Sequence, residues 1–404
     1  MLLILKKVRL HSTLLQGIEE ALDRVFGQGK KSDQVVPAIL KAHPKWGSRD
    51  RNFVAENTYE IVRNKRLILY CLDYDGPLDS GTLKKMTAAW LILKEQQDES
   101  DFFTGLDPAI LRERVRVADP AVRFSVPDAL NEYMIAELGT ERWYRELEAM
   151  STPAEVYLRV NLNRISREKL REALLKREME TETVEGVRAA LRLLKRANLT
   201  ATDEFRKGMF EIQDAGSQLI GGFLNPVPGS MVVDACAGAG GKALHLADLM
   251  QNKGQILAMD VEAAKLQELQ NRAVRNKVSI IQTALVSDAV IQEYRGKADY
   301  LLLDVPCSGS GVIRRNPDAK EKLTPEFMEE IREVQQHILQ NYSTMLKPEG
   351  KMVYATCSLL PSENRGQVDR FMEENKGFVL VEDRQVWPSE TGFDGFYMAL
   401  ITRE

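Results

Sequence analysis

Two cysteines, Cys307 and Cys357, follow two apolar runs in the last third of the chain. Cys307 lies in Asp304-Val305-Pro306-Cys307-Ser308-Gly309-Ser310-Gly311 after the run 300–303, and Cys357 lies in Thr356-Cys357-Ser358 after the run 352–355. A thiolate is a strong nucleophile even when only partly populated. It can add to C6 of a pyrimidine, which makes C5 carbanion-like and able to attack a methyl donor. The pair predicts covalent chemistry, and its spacing leaves open which cysteine is the nucleophile.

A glycine-rich segment follows an earlier apolar run and precedes a helical pattern. Glycines let a backbone approach a ligand closely, and the first turn of a helix offers free N–H groups. The segment is not a Walker A loop, because Cys236 and Ala243 replace its first glycine and its serine or threonine. Its residues are Cys236, Ala237, Gly238, Ala239, Gly240, Gly241 and Lys242, and they directly follow Asp234-Ala235.

Two further acidic residues follow the next apolar runs. Asp260 comes about 20 residues after the glycines, where an acidic side chain can accept hydrogen bonds from ribose hydroxyls. This pattern fits nucleotide cofactors in general, whether NAD or S-adenosylmethionine, and Asp260 could instead cap the following helix. Asp288 could face an adenine, although turn and cap roles are equally consistent with its position.

The surrounding patterns predict three regions. Residues 1–125 show helical periodicity and predict an all-α bundle. Residues 126–210 mix a strand pattern at 155–161 with helical patterns, which predicts a small α+β connector. In residues 211–404 short apolar runs alternate with helical stretches, which is typical of an open α/β sheet with parallel strands. Such sheets bind ligands at the carboxyl ends of their strands, where both cysteines and the glycines fall.

The composition excludes several classes of protein. The chain has 404 residues, of which 28% are charged and 44% hydrophobic, so a disordered chain or a disulfide scaffold is excluded. Four cysteines without Cys-x-x-Cys spacing and four scattered histidines argue against a metal site. No segment approaches the roughly 18 apolar residues of a membrane helix, and the N-terminal apolar run is too short for a secretion signal. We therefore expect a cytoplasmic protein with no membrane partner.

The motifs together resemble the Sun/Fmu-type family of RNA cytosine-5 methyltransferases. Within it, the chain most resembles the bacterial enzymes that methylate 16S ribosomal RNA and carry an N-terminal NusB-like helical domain. The resemblance covers nearly the whole chain. Besides the two cysteine turns it rests on supporting segments: 213–218 (Gln-Asp-Ala-Gly-Ser-Gln), 314–318 (Arg-Arg-Asn-Pro-Asp), 361–364 (Pro-Ser-Glu-Asn), 394–397 (Asp-Gly-Phe-Tyr) and 48–51 (Ser-Arg-Asp-Arg).

The resemblance implies a Rossmann-like class I methyltransferase fold in the last region and S-adenosylmethionine as cofactor. It implies that Cys357 is the nucleophile and that Cys307 helps to release the product. Cofactor contacts would come from residues 236–242, Asp260, Asp288 and Asp304. By the same resemblance, Asp304 and Lys242 should also lie close to the reacting base.

The glycine-rich segment departs from the family pattern, which usually reads Cys-Ala-Ala-Pro-Gly-Gly-Lys. Gly238 and Ala239 stand where alanine and proline are expected. Proline fixes φ and would stiffen the turn. We therefore expect a more mobile loop and an altered affinity for the cofactor.

The net charge of −4 conceals an uneven distribution. Residues 1–66 carry a net +6 and residues 151–210 a net +4, whereas 67–150 and 211–404 each carry −7. RNA binding needs a local positive surface, not a positive total. Candidate RNA contacts are Arg49, Arg51, Arg314 and Arg315, and we expect RNA and not DNA as the partner of a monomer.

Attack at C6 requires an unstacked base, so the expected substrate is single-stranded or flipped RNA. The leading hypothesis is an enzyme acting on 16S ribosomal RNA. Two alternatives stay open: the same chemistry on transfer RNA, and a NusB-like RNA-binding scaffold without catalysis.

Overall fold

The computed structural model describes residues 10–96 and 101–404. The N-terminal apolar run, residues 1–5, lies outside the described residues. Two compact units divide the chain. The helical unit comprises the described residues up to Ser151 together with residues 313–325, and the sheet unit comprises residues 152–312 and 326–404.

The helical unit confirms the helices predicted for the first region. Its most buried helix is α5, from which Met86, Ala89 and Ile92 enter a single apolar core. Its helices are α1 (Ser12–Leu22), α2 (Ser32–Ala42), α3 (Ser48–Arg63), α4 (Lys65–Leu72), α5 (Ser80–Leu93), α6 (Pro108–Val117), α7 (Pro120–Arg123), α8 (Asp128–Leu138) and α9 (Thr140–Met150).

Residues 313–325 follow the Pro-Cys turn (residues 304–311) in sequence but pack within the helical unit. The buried amino group of Lys320 donates to the carbonyl oxygens of Arg63 and Phe124, at 2.9 Å each. Arg63 is the last residue of α3, where carbonyl groups lack partners within the helix. Ser32 donates to Asp318 at 2.6 Å, which attaches the same segment to α2.

The sheet unit begins with a four-stranded antiparallel sheet in the order β2-β3-β1-β4. The strand predicted at 155–161 is therefore confirmed. This part contains β1 (Val156–Val160), α10 (Arg167–Leu175), β2 (Thr181–Thr183), β3 (Ala190–Leu193), α11 (Asp203–Arg206) and β4 (Phe210–Ile212).

A seven-stranded sheet follows, in the order β10-β11-β9-β8-β5-β6-β7. Strands β9, β8, β5, β6 and β7 are parallel, as predicted. The elements are α12 (Ala215–Leu224), β5 (Met231–Asp234), α13 (Gly241–Leu249), β6 (Gln255–Asp260), α14 (Ala263–Asn276), β7 (Ile281–Leu285), α15 (Asp288–Glu293), β8 (Ala298–Asp304), α16 (Pro325–Tyr342), β9 (Leu346–Thr356), α17 (Arg365–Glu374), β10 (Phe378–Val386), α18 (Pro388–Thr391) and β11 (Phe396–Arg403).

The sheet differs from the expected purely parallel pattern at one edge. Strands β10 and β11 are antiparallel to their neighbours, and β11 pairs with β9. Strand β10 is an edge strand with mostly exposed residues, so it lacks the continuous apolar run that marks the central strands. The Rossmann-like α/β class is unaffected by this addition.

The region limits at 125 and 210 stay predictions. The helical unit includes α8 and α9, which the sequence analysis assigned to the connector. Across residues 10–96 and 101–404, none of the helices combines the length and apolar character needed to span a bilayer.

Candidate active site

The strand order places the glycine loop (residues 236–242) at a topological switch point. Strand β5 pairs with β6 on one side and β8 on the other, and the ligand site of such sheets lies at the carboxyl ends of these strands. Asp234, Asp260 and Asp304 are the last residues of β5, β6 and β8. Three carboxyl groups therefore converge at this edge.

Backbone geometry explains two glycines of the loop. Gly240 has φ +84°, and a Cβ atom there would lie 2.4 Å from Cγ of Leu269, so no other residue fits without displacement. Gly238 has φ +53° and open space where a Cβ would be. The loop therefore keeps an open approach at Gly238, next to the start of α13.

Asp260 contacts the glycine loop through one carboxylate oxygen and the residue two positions after itself through the other. Oδ2 accepts a hydrogen bond from the N–H of Gly238, and Oδ1 accepts one from the N–H of Glu262, at 2.9 Å each. The helix-cap alternative for Asp260 is wrong, because Glu262 is the N-cap residue of α14. The predicted ribose contact stays a prediction, since each oxygen can accept a second hydrogen bond.

Two arginines that the sequence analysis did not single out also hold the glycine loop. Arg159 on β1 is buried and donates to the carbonyl oxygen of Gly241 at 2.5 Å. Arg272 on α14 donates to the carbonyl oxygen of Ala239 at 2.7 Å and pairs with Glu211 of β4 at 3.0 Å. The loop lacks the stiffening proline, and these contacts restrain the carbonyl groups at that position.

Lys242 and Asp304 form an ion pair at the centre of the strand ends. Lys242 Nζ lies 2.5 Å from Asp304 Oδ2, and both side chains are largely buried. Burial alone would lower the pKa of Lys242, but the Asp304 carboxylate and a negative charge on Cys357 outweigh it and raise the pKa. Lys242 is therefore a cation that faces both an acidic group and the Cys357 sulfur.

Asp234 is the least compensated charge of the cluster. Its side chain is fully buried, and neither oxygen forms a hydrogen bond of ordinary geometry among the described residues; the nearby N–H of Cys236 and the Lys242 cation stabilise its charge only in part. Burial, followed by repulsion from Asp304, raises its pKa to about 7. Asp234 was not among the predicted site residues, although its position directly before the glycine segment was a signal that it belongs to the site.

The two predicted cysteines meet in the structure. Their Sγ atoms lie 3.2 Å apart, both thiols are free, and the N–H of Cys357 donates to Cys307 Sγ at 3.2 Å. The hydrogen bond with Cys357, followed by burial, raises the pKa of Cys307 well above its usual range. Of the pair, Cys307 is therefore the thiol that keeps its proton.

The remaining predicted residues lie in varied surroundings. Cys236 is partly buried against the core of the sheet, and burial raises its pKa. Ala237 is buried, whereas Asp288 is exposed at the start of α15. Among the described residues, no group of three or more His, Cys, Asp or Glu side chains is arranged to hold a metal ion.

The four candidate RNA-binding arginines differ in exposure. Arg49 and Arg315 are exposed. Arg51 donates to the carbonyl oxygen of Leu40 at 2.8 Å, near the end of α2. Arg314 is only 4% exposed, and its carbonyl oxygen accepts a hydrogen bond from Arg63. The sequence alone does not show which arginines are exposed and which are buried or bonded to backbone carbonyl groups.

Comparison with family models matches two parts of the chain. The model described as 16S rRNA methyltransferase RsmB/F matches residues 222–402. A model described as the RsmF/B-like methyltransferase ferredoxin-like domain matches residues 126–200.

Similar curated proteins carry related names. Ribosomal RNA small subunit methyltransferase B of Pasteurella multocida is 33% identical over 279 residues, which is 65% of this chain and 62% of that protein, less than two thirds of its length. A probable ribosomal RNA small subunit methyltransferase B of Synechocystis is 33% identical and covers 85% of each chain. The Yersinia pestis protein of the same family name is 30% identical over 95% of this chain and 97% of its own.

Two solved structures share the fold. A methyltransferase homolog protein from Pyrococcus horikoshii has a TM-score of 0.63 at 29% identity and covers 71% of this chain and 98% of its own. The protein PH0851 has a TM-score of 0.84 at 24% identity, over 98% of this chain and 100% of that chain, which is a likeness of fold.

Proposed function

The chain belongs to the 16S rRNA methyltransferase RsmB/F family, and from this membership we propose that it methylates C5 of cytosine in 16S ribosomal RNA. The observation that carries the proposal is the pair of free thiols 3.2 Å apart. They follow the adjacent parallel strands β8 and β9, beside the glycine loop. Covalent attack on a pyrimidine needs a nucleophilic thiol at such a site.

The family uses S-adenosylmethionine, and the residues at the strand ends suit it. Its sulfonium and ammonium groups are cationic, and Asp234 is a buried carboxylate without a hydrogen bond of ordinary geometry among the described residues. Asp260 and the open space at Gly238 offer the acceptor and the close backbone approach that a ribose requires. Bound there, the cofactor supplies the methyl group.

Cys357 acts as the nucleophile in the proposed reaction. Its thiolate forms a bond to C6 of cytosine, and the electron pair of the C5–C6 double bond moves to C5. The ammonium of Lys242 lies close enough to Cys357 for a negative charge on that sulfur to raise the pKa of Lys242, so the two charges attract each other. Asp304 can accept a hydrogen bond from the N4 amino group of the base, which would orient the ring for thiolate attack.

Cys307 assists the breakdown of the adduct. After methylation the C5 proton passes to solvent water, the C5–C6 double bond re-forms, and the bond to Cys357 breaks with its electron pair on sulfur. Cys307 keeps its proton and lies 3.2 Å from that sulfur, so its S–H group can donate to the departing thiolate.

Exposed Arg49 and Arg315 are the proposed contacts to RNA phosphates.

The roles of the cysteines are tested with 16S ribosomal RNA and methyl-labelled S-adenosylmethionine. Cys357→Ala should abolish label transfer, because the nucleophile is absent. Cys307→Ala should accumulate a protein–RNA adduct that survives denaturing gels, because the departing thiolate loses its hydrogen-bond donor. Cys71→Ala is the matched control, since Cys71 is a buried cysteine of the helical unit, and it should methylate normally.

Three results would contradict the proposal. An adduct with Cys357→Ala would reverse the two assignments. Transfer to transfer RNA but not to ribosomal RNA would favour the transfer-RNA alternative. Absence of transfer from the wild-type protein to every RNA tested would favour the scaffold.

A further inference from the structure

A buried carboxylate joins the two cysteine turns. Glu363 is 0% exposed and lies between the Thr-Cys turn (residues 356–360) and α17. Its Oε2 accepts hydrogen bonds from the N–H of Ser308 and from Nε2 of Gln335, at 2.8 Å each, and its Oε1 accepts one from Oγ of Ser358 at 3.0 Å. Ser308 and Ser358 are the residues that directly follow Cys307 and Cys357. One side chain thus holds the neighbours of both thiols.

The surrounding contacts leave Glu363 as the charged member of this network. Gln335 also donates to the carbonyl oxygen of Pro306 at 3.0 Å, so the residues on both sides of Cys307 are held. The hydroxyl groups of Ser308 and Ser358 lie 3.2 Å apart, which adds a neutral link between the turns. Hydrogen bonds to an ionised carboxylate are roughly twice as strong as neutral ones. Glu363 should therefore dominate the positions of the two turns.

We propose that Glu363 is a positioning residue that holds Cys307 against Cys357. The inference rests on the proposed function, in which Cys307 must lie within hydrogen-bond distance of the departing Cys357 sulfur. Displacement of a reacting group by about 1 Å can cost on the order of 100-fold in rate. After the hydrogen bond with Cys357 and burial, the charge of Glu363 also helps to raise the pKa of Cys307, which keeps that thiol protonated.

Glu363→Gln tests the proposal with little change of shape. The side-chain oxygen of a glutamine can accept the hydrogen bonds from Ser308 and Gln335. Its amide group can donate to the hydroxyl group of Ser358, which then accepts a hydrogen bond instead of donating one. The substitution therefore removes the charge and keeps most of the network. Glu363→Asp is the second variant, because it keeps the charge but is one methylene too short to reach both turns.

The first measurement reports the separation of the thiols without RNA. Diamide oxidises the two thiols to a disulfide and is itself reduced to the hydrazine, taking up their two protons and two electrons. Peptide mapping then gives the rate at which Cys307 joins Cys357. We expect both Glu363 variants to form this disulfide at least fivefold more slowly than wild type. The control is Glu146→Gln, which alters a buried carboxylate of α9 that pairs with Arg142.

The second measurement separates kcat from KM in the methylation assay. We expect Glu363→Gln to lower kcat by about 10- to 100-fold while KM for S-adenosylmethionine stays within threefold. Glu146→Gln should keep the wild-type kcat. The proposal is overturned if a folded Glu363→Gln or Glu363→Asp variant keeps the wild-type kcat and the wild-type rate of disulfide formation. It is also overturned if the only change in such a variant is a lower Tm. If the wild-type protein methylates no RNA, the proposed function fails, and the diamide rates still decide whether Glu363 positions the thiols.

Discussion

Replacement of Asp234 by asparagine should stabilise the protein in a manner that depends on pH. Asp234 is fully buried at the end of β5, forms no hydrogen bond of ordinary geometry among the described residues, and has a pKa raised from 3.8 to about 7. At 1.36 kcal/mol per pKa unit, this rise corresponds to about 4 kcal/mol of unfavourable free energy when the carboxyl group is ionised. Since the group is buried, no reduction for solvent screening applies.

The sign of the pH dependence follows from proton binding. Between about pH 4 and pH 7 the folded protein holds the Asp234 proton more tightly than the unfolded chain, so wild-type stability falls as the pH rises through this window. Asparagine resembles the protonated acid in shape and does not titrate. Asp234→Asn should therefore exceed wild type by only about 1 kcal/mol at pH 4.5 and by about 4 kcal/mol at pH 8.

Urea denaturation followed by circular dichroism at pH 4.5, 6 and 8 measures this difference. The effect should appear in the transition in which the seven-stranded sheet unfolds. Asp299→Asn is a control for which the pKa shift has the opposite sign. Burial opposes ionisation of Asp299, but its contacts with Lys347 and with the N–H of Met231 outweigh burial and lower its pKa. Parallel stability curves for Asp234→Asn and wild type from pH 4.5 to 8 would refute the reasoning.

The charge of Asp234, although it lowers stability, should strengthen binding of the cofactor. A carboxylate that destabilises the fold is retained where activity requires it. We therefore expect Asp234→Asn to bind the cationic S-adenosylmethionine more weakly at pH 8, as measured by calorimetry. Unchanged affinity would assign Asp234 no part in the cofactor site.

Two further predictions concern the helical unit and the glycine loop. Burial lowers the pKa of Lys320 to about 7, so stability of the helical unit should rise by about 1.4 kcal/mol per pH unit above pH 7. Urea titrations at pH 7.5 and 9 measure this pH dependence of stability. Lys320→Met should abolish it, and the control Lys322→Met, at an exposed position, should keep it. An unchanged pH dependence in Lys320→Met would contradict the lowered pKa of Lys320. Gly240→Ala should lose about 2–4 kcal/mol of unfolding free energy, because φ is +84° and its Cβ would meet Leu269. Gly222→Ala, in open space on α12, is the matched control, and equal stability of the two variants would count against the steric argument.

Several features of the site were predictable from local sequence. Apolar runs ending in acidic residues mark parallel strands, and the carboxyl ends of such strands share one edge of a sheet. The positions of Cys307, Cys357 and Asp304 after apolar runs therefore predicted that they lie together. The glycine loop was predictable because a glycine-rich segment stands between an apolar run and a helical pattern.

Other features depend on contacts between residues far apart in sequence. Glu363 lies 55 residues from Ser308, and its hydrogen bond to that residue has no local signal beyond the quoted segment 361–364. Arg159 reaches the carbonyl oxygen of Gly241 across 82 residues. The antiparallel strand β10 lacks a marked pattern because it is an exposed edge.

The sequence by itself identified the reactive groups, because residue types and strand-end spacing are local properties of the chain. It indicated two thiols, a glycine loop, three acidic strand ends and an open α/β sheet, and the family resemblance added the roles of the two cysteines. The tertiary structure alone decided which charges are compensated. Asp234 is buried with its charge only partly compensated, Arg314 is buried while Arg315 is exposed, and Cys307 keeps its proton beside Cys357. Burial and distance control the energy of a charge, and both arise only when distant segments pack together.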